Sequence, residues 1–414
     1  MINIAIMGHG VVGSGVVEVL LHNHDGITSR AAEEINIKHI LDLREFPDSP
    51  LSDRFTKDFN DILNDESVKI VVETMGGVKP AYDFVKSCLL AGKSVVTSNK
   101  ELVAKHGQEL VTIAKENNLN FLFEASVGGG IPIIRPMTQC LAANKICDVI
   151  GILNGTTNFI MTKMIKDNTD FKEALAIAQQ LGYAEKDPTA DVEGHDACRK
   201  IAILSSLAFG KYVNSEDIQT EGITKITLDD VKYASIWGGV IKLIGKVKKL
   251  ENNMIDIVVA PMFVPYTSQL SSIEDVFNGI MVRGDCTGDV VFYGKGAGKL
   301  PTASAVVADV VDCVKHLKNR KYLFWADSDN SSVIDYKESV TAMYIRAKAD
   351  DRDAAYNKAK EIFRDIHILE NKDAAQGEIA FVCEPMKYSD ILNNIDTLNA
   401  DGIKVESAIR IGDL

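Results

Sequence analysis

Short apolar runs alternate with helical periodicity over the first third of the chain. Ile2-Asn3-Ile4-Ala5-Ile6-Met7, bounded by Gly8, reads as a buried parallel strand. The same reading applies to the run 35–41 ending at Asp42, to Ile70-Val71-Val72-Glu73-Thr74, to Ser94-Val95-Val96-Thr97 and to Asn120-Phe121-Leu122-Phe123. Amphipathic stretches lie between them: Val16–Leu21, Ala81–Leu90 closed by Gly92, and a helix expected over about 107–117. This strand–helix alternation predicts an open parallel sheet with helices on both faces.

The rhythm changes at Ala125-Ser126-Val127-Gly128-Gly129-Gly130-Ile131-Pro132, which continues neither helix nor regular strand. Helices are expected beyond it around 133–143, 158–167, 171–181 and 196–209, with strands at 148–153, 256–264 and 279–282. A second Gly-rich stretch, Tyr293-Gly294-Lys295-Gly296-Ala297-Gly298, leads into an apolar helix from Thr302 to about Leu317. The polar stretch opening at Asp327 reads as a linker over 327–338. The remaining residues, 339–414, are expected as strand 340–348, helix 351–366, strands 367–371 and 378–383, helix 387–398 and strand 403–410. That β-α-β-β-α-β order is ferredoxin-like. The expected class is therefore α/β. A Rossmann-type dinucleotide-binding domain spans 1–130. An α+β domain follows over 131–294, and a ferredoxin-like domain ends the chain.

Composition narrows the partners. The chain has 414 residues, 46% hydrophobic and 25% charged, as expected of a globular protein. Its formal net charge of −13 repels phosphate polyanions, which argues against nucleic acid. No run of about 18 apolar residues offers a membrane span, and no basic residue precedes the first apolar run as a signal peptide requires. Seven scattered cysteines without a CxxC pair suggest reduced thiols and a cytoplasmic protein rather than a zinc site or disulfide framework.

Gly8-His9-Gly10-Val11-Val12-Gly13 follows the first strand and opens a helix, the context in which GxGxxG binds a dinucleotide. Gly8 permits the turn, Gly10 lets backbone approach a pyrophosphate, Gly13 lets the helix pack on the sheet, and the phosphates meet the helix N-terminus. Asp42, closing the second strand, suits an adenosine ribose and NAD, whereas Arg44 and Lys57 suit a 2′-phosphate and NADP; both cofactors stay open. Thr97-Ser98-Asn99-Lys100 follows a strand, so Lys100 lies on the carboxyl edge where ligands of such sheets bind. The richest constellation runs from Tyr183 to Lys200. Asp196 and Lys200 are four apart on one helix face and could simply form an ion pair. Yet Glu185, Asp191 and Asp196 beside one lysine also suit a small amino-bearing substrate: carboxylates for an ammonium, a cation for a reacting oxygen. His195 among them reads as solvated or structural. Asn154-Gly155-Thr156-Thr157-Asn158 could orient a polar substrate or cap a helix.

Six features in this order, namely the fingerprint, the Asn99-Lys100 step, the Glu124–Pro132 segment, Asn154–Asn158, the acid-rich loop ending at Lys200 and Gly294–Gly298, resemble the homoserine dehydrogenase family over the first 320 or so residues. The resemblance implies NAD(P)-dependent interconversion of L-homoserine and L-aspartate 4-semialdehyde, within threonine, methionine and isoleucine biosynthesis. It implies Lys100 and Lys200 as catalytic residues, Glu185 as the residue holding the substrate's amino group, and Asp191 and Asp196 as substrate-site acids. Gly155 and Thr156 would line the substrate pocket. The nucleotide would meet Gly8, Gly10, Val11, Val12, Gly13, Asp42, Arg44, Thr97, Ser98, Lys100 and Gly298. Glu124, with the backbone at Val127, Gly129 and Ile131, matches a monovalent cation site, usually sodium. Lys295 stands where the family commonly has proline. The C-terminal unit resembles an ACT domain, a regulatory module, but Asp350-Asp351-Arg352-Asp353 carries neither Pro nor Gly where those domains have Asp-x-Pro-Gly, which leaves the effector open. The resemblance also implies that about 295–320 return to complete the nucleotide domain, that 131–294 form the substrate, catalytic and dimerisation domain, and that the protein is a homodimer or homotetramer.

For the chemistry, a lysine ammonium aimed at the reacting oxygen would stabilise its charge or shuttle its proton while the cofactor carries hydride. The expectation gives the proton to Lys200 and polarisation to Lys100. Two rival readings are a thiohemiacetal enzyme using Cys140 or Cys147, and a nucleotide-sensing regulator without turnover.

Overall fold

The computed structural model describes residues 1–321, 323, 325, 326 and 332–414. They divide into two compact units. The first comprises Met1–Lys145, Ala202–Glu216 and Phe292–Asn330, and the second Ile146–Ile201, Asp217–Val291 and Ser331–Leu414.

In the first unit, strands β1 (Ile2–Met7), β2 (Ile35–Leu41), β3 (Phe55–Thr56), β4 (Val68–Glu73), β5 (Ser94–Thr97) and β6 (Phe121–Leu122) form one parallel sheet in the order β3-β2-β1-β4-β5-β6. The order reverses between β1 and β4, the switch point beside which doubly wound sheets bind ligands. Helices α1 (Val11–His22), α2 (His24–Ala31), α3 (Asn60–Leu63), α4 (Ala81–Leu90) and α5 (Lys100–Glu116) connect the strands. The central residues of the strands are apolar because both faces are covered; Ile4, Ile6, Ile70, Val72 and Val96 pack with Val16 and Leu20 of α1 and with Val306 and Val310 from the helix Lys299–Lys315. That late helix completes the core. Gly15 of α1 lies against it, where a Cβ would come 3.0 Å from Ala303 and from Lys299. The helix expected over 107–117 starts much earlier, at Lys100, because the Asn99 side chain accepts the Leu102 N–H and caps it there.

In the second unit a sheet runs β12-β11-β7-β9-β10-β16-β13-β15-β14, with β8 pairing β10. Its first part consists of β7 (Ile146–Ile152), β8 (Gln219–Thr220), β9 (Gly239–Lys249), β10 (Ile255–Pro265), β11 (Phe277–Gly284) and β12 (Gly288–Lys295). Helices α6 (Gly155–Asp167), α7 (Phe171–Gln180), α8 (Thr189–Val192), α9 (His195–Phe209) and α10 (Leu228–Trp237) follow in chain order, and α11 is the late helix Lys299–Lys315. Strand β9 was not expected. Its lysines interrupt the apolar run, yet Lys242 is fully buried, its ammonium bonded to Asn158 Oδ1 (3.0 Å) and the Ile273 carbonyl (2.5 Å). The expected helix at 133–143 shrinks to a wide turn, Pro136–Cys140.

The C-terminal residues supply β13 (Val340–Lys348), α12 (Arg352–Phe363), β14 (Ile366–Ile368), β15 (Glu378–Lys387), α13 (Tyr388–Ala400) and β16 (Lys404–Ile411). This is the expected element order, and the four strands lie as β16-β13-β15-β14 over a core of Ile345, Phe363, Phe381, Ile391 and Leu398. The module is continuous with the rest of its unit. β16 pairs in parallel with β10, Met262 opposite Arg410 and Phe263 opposite Ile411. Arg346 of β13 is buried and bonded to Asp230 (3.1 Å), Glu378 (3.4 Å), Glu406 (2.9 Å) and the Thr227 hydroxyl (3.3 Å). Of the expected linker 327–338, residues 327–331 lie outside the described residues. Residue 332 onward is tied down: Ile255 N–H donates to Ser332 O (2.7 Å), and Ile334 N–H to Ile255 O (3.0 Å). Among the described residues no helix is long and apolar enough to cross a membrane.

Candidate active site

The nucleotide end of the first unit is built around the fingerprint. Gly8 has φ +95°, and a Cβ on Gly13 would sit 1.9 Å from the Gly8 carbonyl, so both positions require glycine. A Cβ on Gly10 would meet nothing within 4 Å, which leaves the start of α1 open. Gly10 is also the N-cap and has no side chain to occupy the first N–H groups, and Val11 and Val12 begin the helix. The residues therefore fit a pyrophosphate.

At the β2 end, Asp42 accepts the His9 N–H (2.8 Å) and takes Arg44 in a two-pronged ion pair, Nε to Oδ1 (2.9 Å) and Nη2 to Oδ2 (2.8 Å). The Arg44 guanidinium holds the Asp42 carboxyl well below the usual carboxylate range. Both line a cleft of about 250 Å³ with Phe46, Phe55 and Lys57, and Lys57 is itself paired with Glu45 (2.9 Å). One cleft thus holds the acid that suits a ribose diol and the two cations that suit a 2′-phosphate.

At the other end of the crevice, Thr97 closes β5, Ser98 follows, and Lys100 is the first residue of α5. Sequence reasoning passed over Glu73 here. It is fully buried at the end of β4, accepting the Thr97 hydroxyl (2.5 Å) and the N–H groups of Met75 (2.8 Å) and Gly76 (3.3 Å). An acid closing the apolar run Ile70-Val71-Val72 is a readable signal, because a carboxylate is seldom buried without donors.

The Glu124 carboxylate is spent on backbone: Oε1 accepts the N–H of Ile133 (2.6 Å) and Ile134 (2.7 Å), and Oε2 that of Arg135 (2.8 Å). Both oxygens facing N–H donors is a poor arrangement for a cation ligand, so the side chain does not fit that role. The loop after it packs backbone to backbone: a Cβ on Gly129 would fall 2.2 Å from the Gly296 carbonyl, and Gly130 N–H donates to Lys295 O (3.0 Å). Gly298, with φ +123°, is the N-cap of α11. Beside this loop the fully buried Asp309 pairs with Arg135, and burial pushes its pKa up to about 7.

In the second unit, Lys200 is buried on α9, its ammonium bonded to the Leu153 carbonyl (2.7 Å) and to Asp196 Oδ2 (2.8 Å). The ion pair that the i,i+4 spacing allows does form, and it is buried. Asn154 organises it: its Oδ1 caps α6 by accepting the Thr157 N–H (2.8 Å), and its Nδ2 donates to Asp191 Oδ1 (2.7 Å) and Asp196 Oδ2 (2.9 Å). Of the two roles the sequence left open for this segment, Asn154 takes the helix cap, and it also links the two acids, which the spacing did not announce. Gly155 starts α6 where a Cβ would meet Val276 O at 2.7 Å. Thr156 Oγ1 donates to Tyr183 O (2.6 Å), fastening the 183–185 loop beside that helix start. Glu185 and His195 are exposed. A lysine, two carboxylates and an amide converging on a helix N-terminus can bind an ammonium and move a proton at a neighbouring oxygen. Lys100 and Lys200 belong to different units.

Comparison with known proteins is consistent along the chain. Residues 8–124 match the family model of the homoserine dehydrogenase NAD-binding domain, and residues 132–311 that of homoserine dehydrogenase. The Bacillus subtilis homoserine dehydrogenase is 35% identical over 99% of this chain and 98% of its own length. The Synechocystis enzyme is 42% identical over 76% of this chain and 73% of its own. Among solved structures, a homoserine dehydrogenase from Thiobacillus denitrificans superposes with a TM-score of 0.91 at 36% identity, covering 100% of this chain and 98% of that one. A hyperthermophilic archaeal homoserine dehydrogenase in complex with NADPH matches 75% of this chain and 97% of its own, with TM-score 0.64 and 28% identity.

Proposed function

The chain belongs to the homoserine dehydrogenase family, an NAD(P)-dependent oxidoreductase family, and from that premise we propose how its residues carry out the reversible oxidation of L-homoserine to L-aspartate 4-semialdehyde. When bound, the nicotinamide accepts or returns hydride. Lys200, as the neutral amine, takes the hydroxyl proton as homoserine is oxidised and becomes the ammonium, and in reverse that ammonium returns the proton to the carbonyl oxygen. The Leu153 carbonyl and Asp196 fix its ammonium for that task. Asp191, Asp196 and Glu185 receive the substrate's ammonium, and Gly155 and Thr156 shape the pocket floor. Lys100 is the second cation of the reaction. Gly8, Gly10, Val11, Val12, Gly13 and Gly298 cradle the dinucleotide, with Asp42 and Arg44 at its ribose and Thr97, Ser98 and Lys100 toward its nicotinamide half. The observation that carries the reading is the buried Lys200 ammonium, held between a main-chain carbonyl and a carboxylate that Asn154 ties to a second acid.

The finer assignments rest on resemblance. A sodium-like cation near residues 124–131 would be held by the main-chain carbonyls of Val127, Gly129 and Ile131, and no step passes through it. The C-terminal module is read as ACT-like from its β-α-β-β-α-β order. Its Asp351 carboxylate accepts the Asp353 and Ala354 N–H groups (3.0 Å each), which fills the turn where such modules hold effectors. A cytoplasmic homodimer or homotetramer serving threonine, methionine and isoleucine synthesis completes the reading; the seven free cysteines support the compartment. Initial rates with homoserine and NAD or NADP, with and without threonine, test it. Homoserine-dependent reduction of at least one cofactor is expected, and its absence with both would refute the activity.

A further inference from the structure

Glu73 lies at the switch point of the first sheet. It pairs with Met7, the residue before Gly8, on one side and with Thr97 on the other. The next residue ties the two loops together: Thr74 N–H donates to Met7 O (2.9 Å) and its hydroxyl to Gly8 O (2.9 Å). The Glu73 side chain leans away from the fingerprint, toward β5, where Thr97 meets it. Its Oε1 gathers the Met75 and Gly76 N–H groups, and Asn99 Nδ2 donates to Gly77 O (2.6 Å). Gly76 and Gly77 have positive φ (78° and 68°), and Cβ atoms on them would meet nothing within 4 Å. The carboxylate therefore backs an open glycine turn on the half of the crevice opposite the adenosine-binding β2 end.

The donor set favours a charged Glu73. The Thr97 hydroxyl accepts the Asn99 N–H (2.9 Å) and so gives its own proton to Oε2, and both contacts of Oε1 are N–H donors. Burial raises the pKa of this group, and these hydrogen bonds oppose it.

We propose that Glu73 is a fixed buried anion at the nicotinamide end of the crevice, which stabilises the cationic oxidised ring relative to the neutral reduced one. Oxidised and reduced cofactor differ there by one unit of charge, while pyrophosphate, riboses and adenine are common to both. The ratio of their dissociation constants therefore isolates the effect. The inference rests on dinucleotide binding by this unit.

The test is fluorescence or calorimetric titration of the full chain, without homoserine, using the oxidised and reduced forms of whichever cofactor binds more tightly. Glu73→Gln keeps an oxygen for the two N–H groups and an amide for Thr97 while removing the charge. It should raise the ratio Kd(oxidised)/Kd(reduced) about tenfold, equivalent to about 1.4 kcal/mol. Thr97→Ser keeps both the donor and the charge, so its ratio should stay within about twofold of wild type even where both constants weaken. Glu73→Ala, read the same way, stands in if E73Q does not fold. Equal weakening of both forms in the neutral variant, or a T97S ratio that moves as far as that of E73Q, overturns the proposal. No saturable binding of either form by the wild-type chain would instead remove the dinucleotide reading beneath it.

Discussion

Replacing Lys200 by methionine keeps most of the side chain's volume and removes its ammonium. The loss is specific: the bonds to Leu153 O (2.7 Å) and Asp196 Oδ2 (2.8 Å) disappear, and Asp196, 3% exposed, keeps only the Asn154 amide of these two donors. Breaking a buried pair from one side costs about 3–5 kcal/mol of stability. Loss of a proton-transferring group lowers turnover by about 10²–10⁴, or about 2.7–5.4 kcal/mol of transition-state stabilisation. These two effects must be separated, and arginine does so. Lys200→Arg retains a cation for Asp196 yet cannot release a proton near neutral pH. The expected result is that K200R recovers much of the melting temperature lost in K200M, while kcat for homoserine oxidation stays at least about a hundredfold down in both. The assay is initial-rate formation of reduced nicotinamide at saturating homoserine, alongside thermal unfolding. Either variant turning over within about threefold of wild type would refute a proton-transfer role, however large its stability loss.

Arg44→Ala removes a cation from the cleft at the β2 end and frees Asp42 from its ion pair; the preference for 2′-phosphorylated over unphosphorylated cofactor should fall about tenfold in Kd ratio, and an unmoved ratio would exclude Arg44 from cofactor selection. Burial lowers the Lys242 pKa to about 8 from 10.5, so between those values the unfolded chain holds a proton that the folded one has released. Stability in urea should therefore rise with pH over that window, by at most about 1.4 kcal/mol per unit, and Lys242→Met should flatten this rise if the assignment is right. Arg346→Met strands Asp230 and Glu378 in the interior; a loss of about 3–5 kcal/mol, with faster hydrogen exchange along β13 and β16, is expected, and a loss under about 1 kcal/mol would show the cluster to be dispensable.

The first sheet was readable because parallel strands buried on both faces announce themselves as apolar runs, and because Gly8 and Gly13 stand where backbone geometry admits no side chain. The C-terminal element order was readable for a similar reason: each element is short, strongly patterned and bounded by polar residues. Strand β9 escaped because periodicity treats every lysine as exposed, whereas Lys242 is buried by two acceptors from α6 and the 273–277 loop. The early start of α5 escaped because Asn99 was read as part of a motif rather than as a cap. Lys200 shows the same limit within the site. Spacing alone gave an ion pair with Asp196, and only the fold supplies the Leu153 carbonyl and the Asn154 amide that turn it into a buried network.

The buried charges of the second unit suggest why its C-terminal module is built into the sheet rather than tethered to it. An effector-responsive module must be able to move, yet this one is joined by a parallel strand pair and by Arg346, which links Asp230 of α10 to Glu378 and Glu406 of the module itself. A second cation, Arg410 of β16, reaches Glu221 (3.2 Å) and stacks on Tyr388 at 4.0 Å. Separating the module would break the Arg346–Asp230 pair, a penalty of about 3–5 kcal/mol for that pair alone, above the about 1–3 kcal/mol by which a bound effector typically shifts an equilibrium. A change transmitted across this junction is therefore expected to move the module together with α10, which begins at the Asp230 cluster and packs on β9.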